Sequence, residues 1–271
     1  MSAIGALLRE LGSLVRQRTL IVSFARRNLR VKYMSSVLGM TWIVATPLAL
    51  LLVYSFVFGF ILKPRWQVLE DKDVAYVLFL FSGLTVFWIF SEIVYNAPGV
   101  LRSQSALVKK VKFPIQILPV VMNVTALASW IVNFGLLMAA MVVFQQAVSW
   151  TALLVPFALV PVVLFSLGMA WLLAALGTYF RDVAQAAGVI GLAALFMSAI
   201  FFPLTAVPEA VRPILMLNPI AVSVETMRDV LLYRELPSVG MYATGIIIGT
   251  LTMFGGLGVF MKVRRGFADV L

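Results

Sequence analysis

Six apolar stretches, each long enough to cross a bilayer and parted by short segments that hold nearly all the charge, constrain this chain more than anything else in it. About 18 or more nearly uncharged residues read as one membrane crossing. Such runs fall near residues 41–62, 74–95, 118–144, 153–179, 183–202 and 241–261. Inside hydrocarbon a single segment satisfies its own backbone by winding into a helix, so the expected fold is an all-α membrane protein with six transmembrane helices. Composition agrees: 62% of residues are hydrophobic and 12% charged, against about 25% charged in an ordinary soluble domain.

Placement of the charge gives orientation. Of the 21 Lys and Arg residues, 15 lie in the N-terminal segment, the second and fourth loops and the tail, and 6 lie on the opposite side. Cationic loops stay on the cytoplasmic side, so both termini are expected there. The net charge of +10 then reads as topology and attraction to lipid headgroups rather than nucleic-acid binding. No Cys and no His occur, which removes disulfides, thiolate metal sites, zinc-protease motifs and any nucleophile with an imidazole base. No catalytic residue, metal site or cofactor is expected on this chain. Nor is a cleavable signal peptide expected, because the first strongly apolar run begins near Thr41 behind a basic segment and is long enough to remain as a span.

Residues 1–40 form a cytoplasmic N-terminal segment ahead of a transmembrane domain over 41–271. Within that segment residues 20–32 separate into faces at helical spacing. Leu20, Ile21, Val22, Phe24, Ala25, Leu29 and Val31 fill one side, and Arg26, Arg27 and Arg30 the other. This is an amphipathic helix in the membrane interface, either a plain anchor or a lever presenting basic residues to a cytoplasmic partner.

Residues 203–240 are too charged to span and too apolar for a solvated loop. Pro208 followed by Glu209 marks the start of one short helix, and Asn218 with Pro219 caps a second that runs to about Arg234. On the second, Ile220, Val224, Met227 and Leu231 share a face while Glu225, Arg228 and Asp229 lie elsewhere. Two short external helices follow, either an interfacial loop or a re-entrant gate over a pathway.

Aromatic residues crowd the first two spans, and Tyr54, Phe58, Phe87 and Trp88 lie in the membrane interior. Lipid contact and helix packing account for such a stripe. The alternative is a pathway wall, where rigid apolar rings let sugar rings slide without being trapped by hydrogen bonds. Glu92 is the one carboxylate placed inside a span. An intramembrane charge is a functional candidate, yet near the cytoplasmic end of its span Glu92 could instead pair with an Arg of the amphipathic helix. Gly245 and Gly249 form a G-x-x-x-G whose small residues suit close packing, within one chain or between two.

Tyr33-Met34-Ser35-Ser36-Val37-Leu38-Gly39 leading through Trp42 to Pro47, Tyr179-Phe180-Arg181-Asp182 at the fourth loop, and Asn218-Pro219 before the last span occur in an order that resembles the permeases of polysaccharide-exporting ATP-binding cassette transporters. The resemblance covers almost the whole chain. It implies export of a lipid-linked glycan, such as O antigen, capsule or teichoic acid, across the cytoplasmic membrane by a permease homodimer joined to two ATPase subunits that bind ATP and Mg. It also implies that the cytoplasmic elements seat on those ATPases: Arg27 and Arg30 of the amphipathic helix, Lys109 and Lys110 of the second loop, and Arg181 with Asp182 in support. The chain itself carries no G-x-x-x-x-G-K-[ST] phosphate loop, so ATP hydrolysis is expected on another chain. An exporter of a drug or small lipid with the same architecture is the alternative. An ion-coupled carrier fits less well, because it usually needs several intramembrane ionisable groups.

Overall fold

The computed structural model describes residues 3–34, 39–62, 69–70, 74–110 and 113–270, and every regular element among them is helical. In chain order these are α1 (Ala3–Arg16), α2 (Arg18–Met34), α3 (Trp42–Tyr54), α4 (Tyr76–Asn96), α5 (Val100–Ser103), α6 (Ser105–Lys110) and α7 (Ile117–Val143). There follow α8 (Val155–Ala158), α9 (Val160–Tyr179), α10 (Val183–Met197), α11 (Arg212–Met216), α12 (Pro219–Arg228), α13 (Val239–Val263) and α14 (Phe267–Val270). Four helical runs are long and apolar enough to cross a membrane: Tyr76–Ser103, Ile117–Val143, Trp150–Tyr179 and Val239–Gly266. At about 1.5 Å per residue each exceeds the roughly 30 Å of hydrocarbon.

The other two apolar stretches are shorter. Trp42–Phe58 is the first, and beyond Tyr54 its helix widens into a π-helical segment, Ser55–Leu62. The fifth, expected to reach Phe202, stops as a helix at Met197. Ala199 takes a left-handed φ of 52°, which turns the chain out of helical register. Fifteen helical residues rise only about 22 Å, so non-helical backbone completes this stretch.

The hub of the fold is α4. Fifteen of its 21 residues are buried, and it contacts α7, α9, α10 and α12. In contrast α3, the π-helical segment after it and α10 present Leu52, Val53, Phe56, Phe60, Val189, Leu192 and Phe196 outward. The most extensive pairing joins α9 to α13, where glycines bring backbones together. A Cβ on Gly168 would meet the Thr252 carbonyl, and one on Gly256 would meet the backbone of Gly168. Gly245 and Gly249 face Pro161 of α9, and Gly245 also faces Val222 of α12. The G-x-x-x-G pair thus packs within the chain, while Gly255 and Gly258 face open space.

The amphipathic helix expected over 20–32 is α2, with Ile21 and Ala25 buried and Arg26, Arg27 and Arg30 exposed. Val22 and Val31 are also exposed, because the packed stripe is narrower than the apolar arc of the sequence. Leu14, Ile21 and Ala25 join a core with Leu118, Trp171 and Phe260. Arg264 of the C-terminal segment reaches Glu10 at 3.3 Å, tying α1 to the far end of the chain.

The α9–α13 contact predicts opposite effects for one substitution. Gly168→Ala or Gly256→Ala forces backbone apart and is expected to cost at least about 1–3 kcal/mol. Gly255→Ala, in open space, should be neutral or stabilise by up to about 1 kcal/mol through helix propensity. Thermal unfolding of the purified chain, followed by size exclusion, measures both.

Candidate functional site

A buried polar layer is built where α10 ends. A helix leaves its last four carbonyls unpaired, and in an apolar setting each needs a donor. Asn218 supplies one, its Nδ2 donating to Met197 O at 3.0 Å, while its Oδ1 accepts from Ile220 N at 3.0 Å and caps α12. Tyr76 donates its hydroxyl to Phe201 O at 3.1 Å. Between them Arg228, wholly buried, donates from Nη1 to Ala199 O at 2.7 Å and from Nη2 to Ile200 O at 2.8 Å.

Its remaining contacts lie on its own helix and on α4. Nη1 meets Glu225 Oε1 at 3.1 Å, Nη2 is 3.4 Å from Phe79 O, and the guanidinium sits 3.5 Å above the Phe79 ring. Glu225 Oε1 also accepts from Leu204 N at 3.2 Å. Gly83 leaves the room for this, since a Cβ there would stand 3.0 Å from Arg228 Nη2. Thr151 donates to Val230 O at 2.6 Å, and Val162 N donates to Ser223 Oγ at 3.0 Å. Hydrogen bonds therefore bind α12 to α4, to the end of α10 and to the start of α9.

This layer corrects one expectation and encloses two charges of α12. The first short helix begins at Arg212, with Pro213 in its opening turn, four residues beyond Pro208; residues 209–211 form a turn instead. Glu225 and Arg228 do not face water. All ten residues of α12 are buried, because α4, α9 and α13 enclose it on several sides. The Asn218 cap stands as expected, and the helix runs on through a π turn, Asp229–Tyr233, to Arg234 at φ 60°. The Glu225/Arg228 pair was legible only as an i, i+3 ion pair on an otherwise apolar helix.

The four aromatic candidates divide. Tyr54 and Phe58 lie together, 6.5 Å between centroids, and both reach Phe201: Tyr54 edge-on at 5.6 Å, Phe58 stacked at 4.9 Å. Phe58, Phe196 and Phe201 line an almost wholly apolar groove of about 630 Å³ beside α11. Phe87 is buried in the α4 core against Phe90, and half-buried Trp88 meets Phe81 edge-on. Phe87 thus belongs to the packed core of this chain.

At the other end of α4, Glu92 pairs with Lys32 of α2 at 2.8 Å. The partner is thus a cation of the amphipathic helix, though a Lys rather than an Arg. Arg27 donates to Gln104 Oε1 at 3.3 Å and lies 4.7 Å over the Phe24 ring, while Arg30 is exposed. A cavity of about 900 Å³ opens between α2, α4 and α7. Arg181 and Asp182 are exposed on the turn between α9 and α10, and Arg181 lines a smaller hollow with Arg102, Ser105 and Tyr179. The side chains of Lys109 and Lys110 lie outside the described residues, as does the 35–38 portion of the motif before the first span. Among the described residues no cluster of metal-ligating side chains occurs.

Comparison with known proteins bears on the whole arrangement. Residues 19–232 match the family described as ABC-2 type transporter. The O-antigen export system permease protein RfbA of Myxococcus xanthus is 24% identical over 265 residues, covering 97% of this chain and 99% of that protein. A protein of the same name from Klebsiella pneumoniae is 26% identical over 258 residues, covering 93% and 95%. The polysialic acid transport protein KpsM of Escherichia coli is 23% identical over 243 residues, covering 88% of each.

The buried pair makes a graded prediction. Arg228→Met leaves Glu225 without its cation and the Ala199 and Ile200 carbonyls without donors, an expected loss of about 3–5 kcal/mol. Glu225→Gln keeps an acceptor for Leu204 N and should cost less. Thermal unfolding in a mild detergent ranks the two, and equal stability of Arg228→Met and the parent would refute the role given to the guanidinium.

Proposed function

The chain belongs to the ABC-2 type transporter family, as a permease of the polysaccharide-exporting kind, and we propose that it moves a lipid-linked polysaccharide across the cytoplasmic membrane, driven by ATP hydrolysed on a separate subunit. The observation that carries this reading is similarity along nearly the full length to proteins named for O-antigen export and for polysialic acid transport. Two copies of the chain assemble with two ATPases. Both termini are cytoplasmic, six segments span the membrane, and α11 and α12 form a re-entrant layer at the external mouth. The 15 to 6 division of Lys and Arg supports the orientation. The buried hydrogen bonds of α12 support the re-entrant layer, since irregular backbone at membrane depth must be enclosed by protein.

The ATPases seat on α2, on the loop holding Lys109 and Lys110, and on the Arg181–Asp182 turn. Arg27, bonded to Gln104 just before α6, links the first two of these, so that movement of one is felt by the other. ATP binding then needs only to favour one of two arrangements of the permease pair. Tyr54 and Phe58 form the wall past which sugar rings slide.

Deleting the chain should leave lipid-linked glycan on the cytoplasmic face, and restoring it should return polymer to the cell surface, as measured by surface labelling with a glycan-specific lectin or antibody. Export of a small amphiphile with no change in surface glycan would favour the drug-exporter alternative instead. Reversing charge at Arg30 and Arg181 together should lower the ATPase activity of the assembled complex while leaving membrane insertion intact.

The wall pair predicts a split between hydroxyl and ring. Tyr54→Phe should be nearly silent, whereas Tyr54→Ala with Phe58→Ala should slow export per assembled transporter. Ring loss at packed sites also costs roughly 3–5 kcal/mol, so export is normalised to folded protein. A double variant that exports at the parent rate per molecule would assign both rings to packing.

A further inference from the structure

The cavity of about 900 Å³ beneath α2 has a composition that neither the ATPase seat nor the glycan wall explains. Its volume is at the upper end of pockets that hold small amphiphilic ligands. Two chemistries line it. Phe24, Leu118, Val121 and Met122 give an apolar wall, while Arg27 and Lys32 stand at its α2 side. The charges do not cancel: Glu92 is the one carboxylate of the lining, and it is taken by Lys32 at 2.8 Å.

Arg27 has no carboxylate partner among the described residues. One of its five donors goes to the neutral amide of Gln104 at 3.3 Å, and one face of its guanidinium covers Phe24. A planar cation with unspent donors beside an apolar wall matches an oxyanion carried on a hydrocarbon chain. A neutral lipid would leave those donors unused, and a soluble anion would leave the wall bare. An amphipathic helix in the interface also sets such a cavity at the level where phosphates meet hydrocarbon.

We infer that this cavity binds the phosphate of a membrane amphiphile, with Arg27 as its anchor and Lys32 shared between the phosphate and Glu92. The chemistry is a phosphate mono- or diester on a long apolar chain. A bulk anionic phospholipid of the inner leaflet and the polyprenyl phosphate of a glycan carrier both meet it, and only the second source rests on the export reading. Because Arg27 also holds Gln104, an occupant drawing on Arg27 would loosen the tie between α2 and the loop that leads to α6.

The test uses the full chain in maltoside micelles, which contain no phosphate, with a single cysteine introduced by Ser103→Cys at the cavity wall. Phosphatidylglycerol, a polyprenyl phosphate, monoacylglycerol and inorganic phosphate are added separately, and the rate of maleimide labelling is followed. Phosphatidylglycerol, polyprenyl phosphate or both should slow labelling saturably, whereas monoacylglycerol and inorganic phosphate should not. Whichever of the two protects at lower concentration identifies the source. Arg27→Gln should raise the concentration for half-protection about tenfold, and Lys32→Gln should raise it less. Glu92→Gln should lower it, because Lys32 is released from its competing carboxylate.

Arg26→Gln, on the exposed side of the same helix and not part of the cavity wall, should change nothing. Thermal unfolding of each variant shows that it remains folded, and should Glu92→Gln fail this check the Arg27 and Arg26 comparison decides alone. Equal weakening by Arg26→Gln and Arg27→Gln would reduce the effect to surface charge, and protection by monoacylglycerol, or by none of the probes, would remove the site. Either result would leave the export reading standing, since that rests on similarity along the chain.

Discussion

The packing where α10, α12 and the start of α4 meet depends on one guanidinium. Moving an arginine out of water costs several kcal/mol unless its donors are met, and Arg228 is met by the carbonyls of Ala199 and Ile200, the carboxylate of Glu225 and the ring of Phe79. Those same carbonyls follow a helix too short to finish its crossing. A cation at the negative end of the α10 dipole is favourable in itself. The short helix, the left-handed Ala199, the glycine at position 83 and the buried α12 are therefore one arrangement seen from four sides: each requires the arginine, and the arginine requires each.

The two ends of the bundle are held in different ways. Contacts around Arg228 are enclosed, and losing one partner leaves another stranded without water. Contacts at the α2 end are half open: Lys32 and Glu92 have side chains 41% and 22% exposed, and ion pairs of that kind contribute less than about 1 kcal/mol. Bonds at the α2 end exchange partners at little cost, whereas α12 is tied to α4 and α10 by enclosed hydrogen bonds. In the transport cycle proposed above, the Arg228 layer would therefore move with its helices rather than as a hinged flap, and an input at the α2 end would need to rearrange only weak contacts.

Hydrophobic runs and punctuation carried most of the fold. The four long apolar helices, the amphipathic α2 and the Asn218–Pro219 start of α12 were readable because each rests on local chemistry: transfer free energy, helical spacing, and the cap that a side-chain oxygen gives to a free N–H. What was not readable depended on partners far away in sequence. Nothing around Met197 says that α10 stops there, since the stopping is stabilised by Arg228 and Asn218. Glu225 and Arg228 lie off the apolar face of α12, and their burial follows only from the enclosure of α12 by three other helices. Of the aromatic candidates, Tyr54 and Phe58 share Phe201, a contact that no spacing rule contains, while Phe87 turned inward with the rest of α4. Glu92 was placed near the amphipathic helix by topology alone, and that was enough to find its partner element though not the residue.

The glycine contact between α9 and α13 has a consequence for how the chain is made. Every acceptor of Arg228 precedes it in sequence, so all of its partners are already synthesised when the ribosome delivers that arginine. Gly168 has the opposite history. The backbone that fills its groove belongs to Thr252 and Gly256, and at roughly 5–20 residues per second the groove stands empty for several seconds after α9 enters the membrane. During that interval a nascent chain exposes a smooth strip of backbone to lipid and to any passing helix. Insertion chaperones that shield unpaired spans, and proteases that survey them, act in that window, so a chain cut short before its last span should be cleared rather than accumulate.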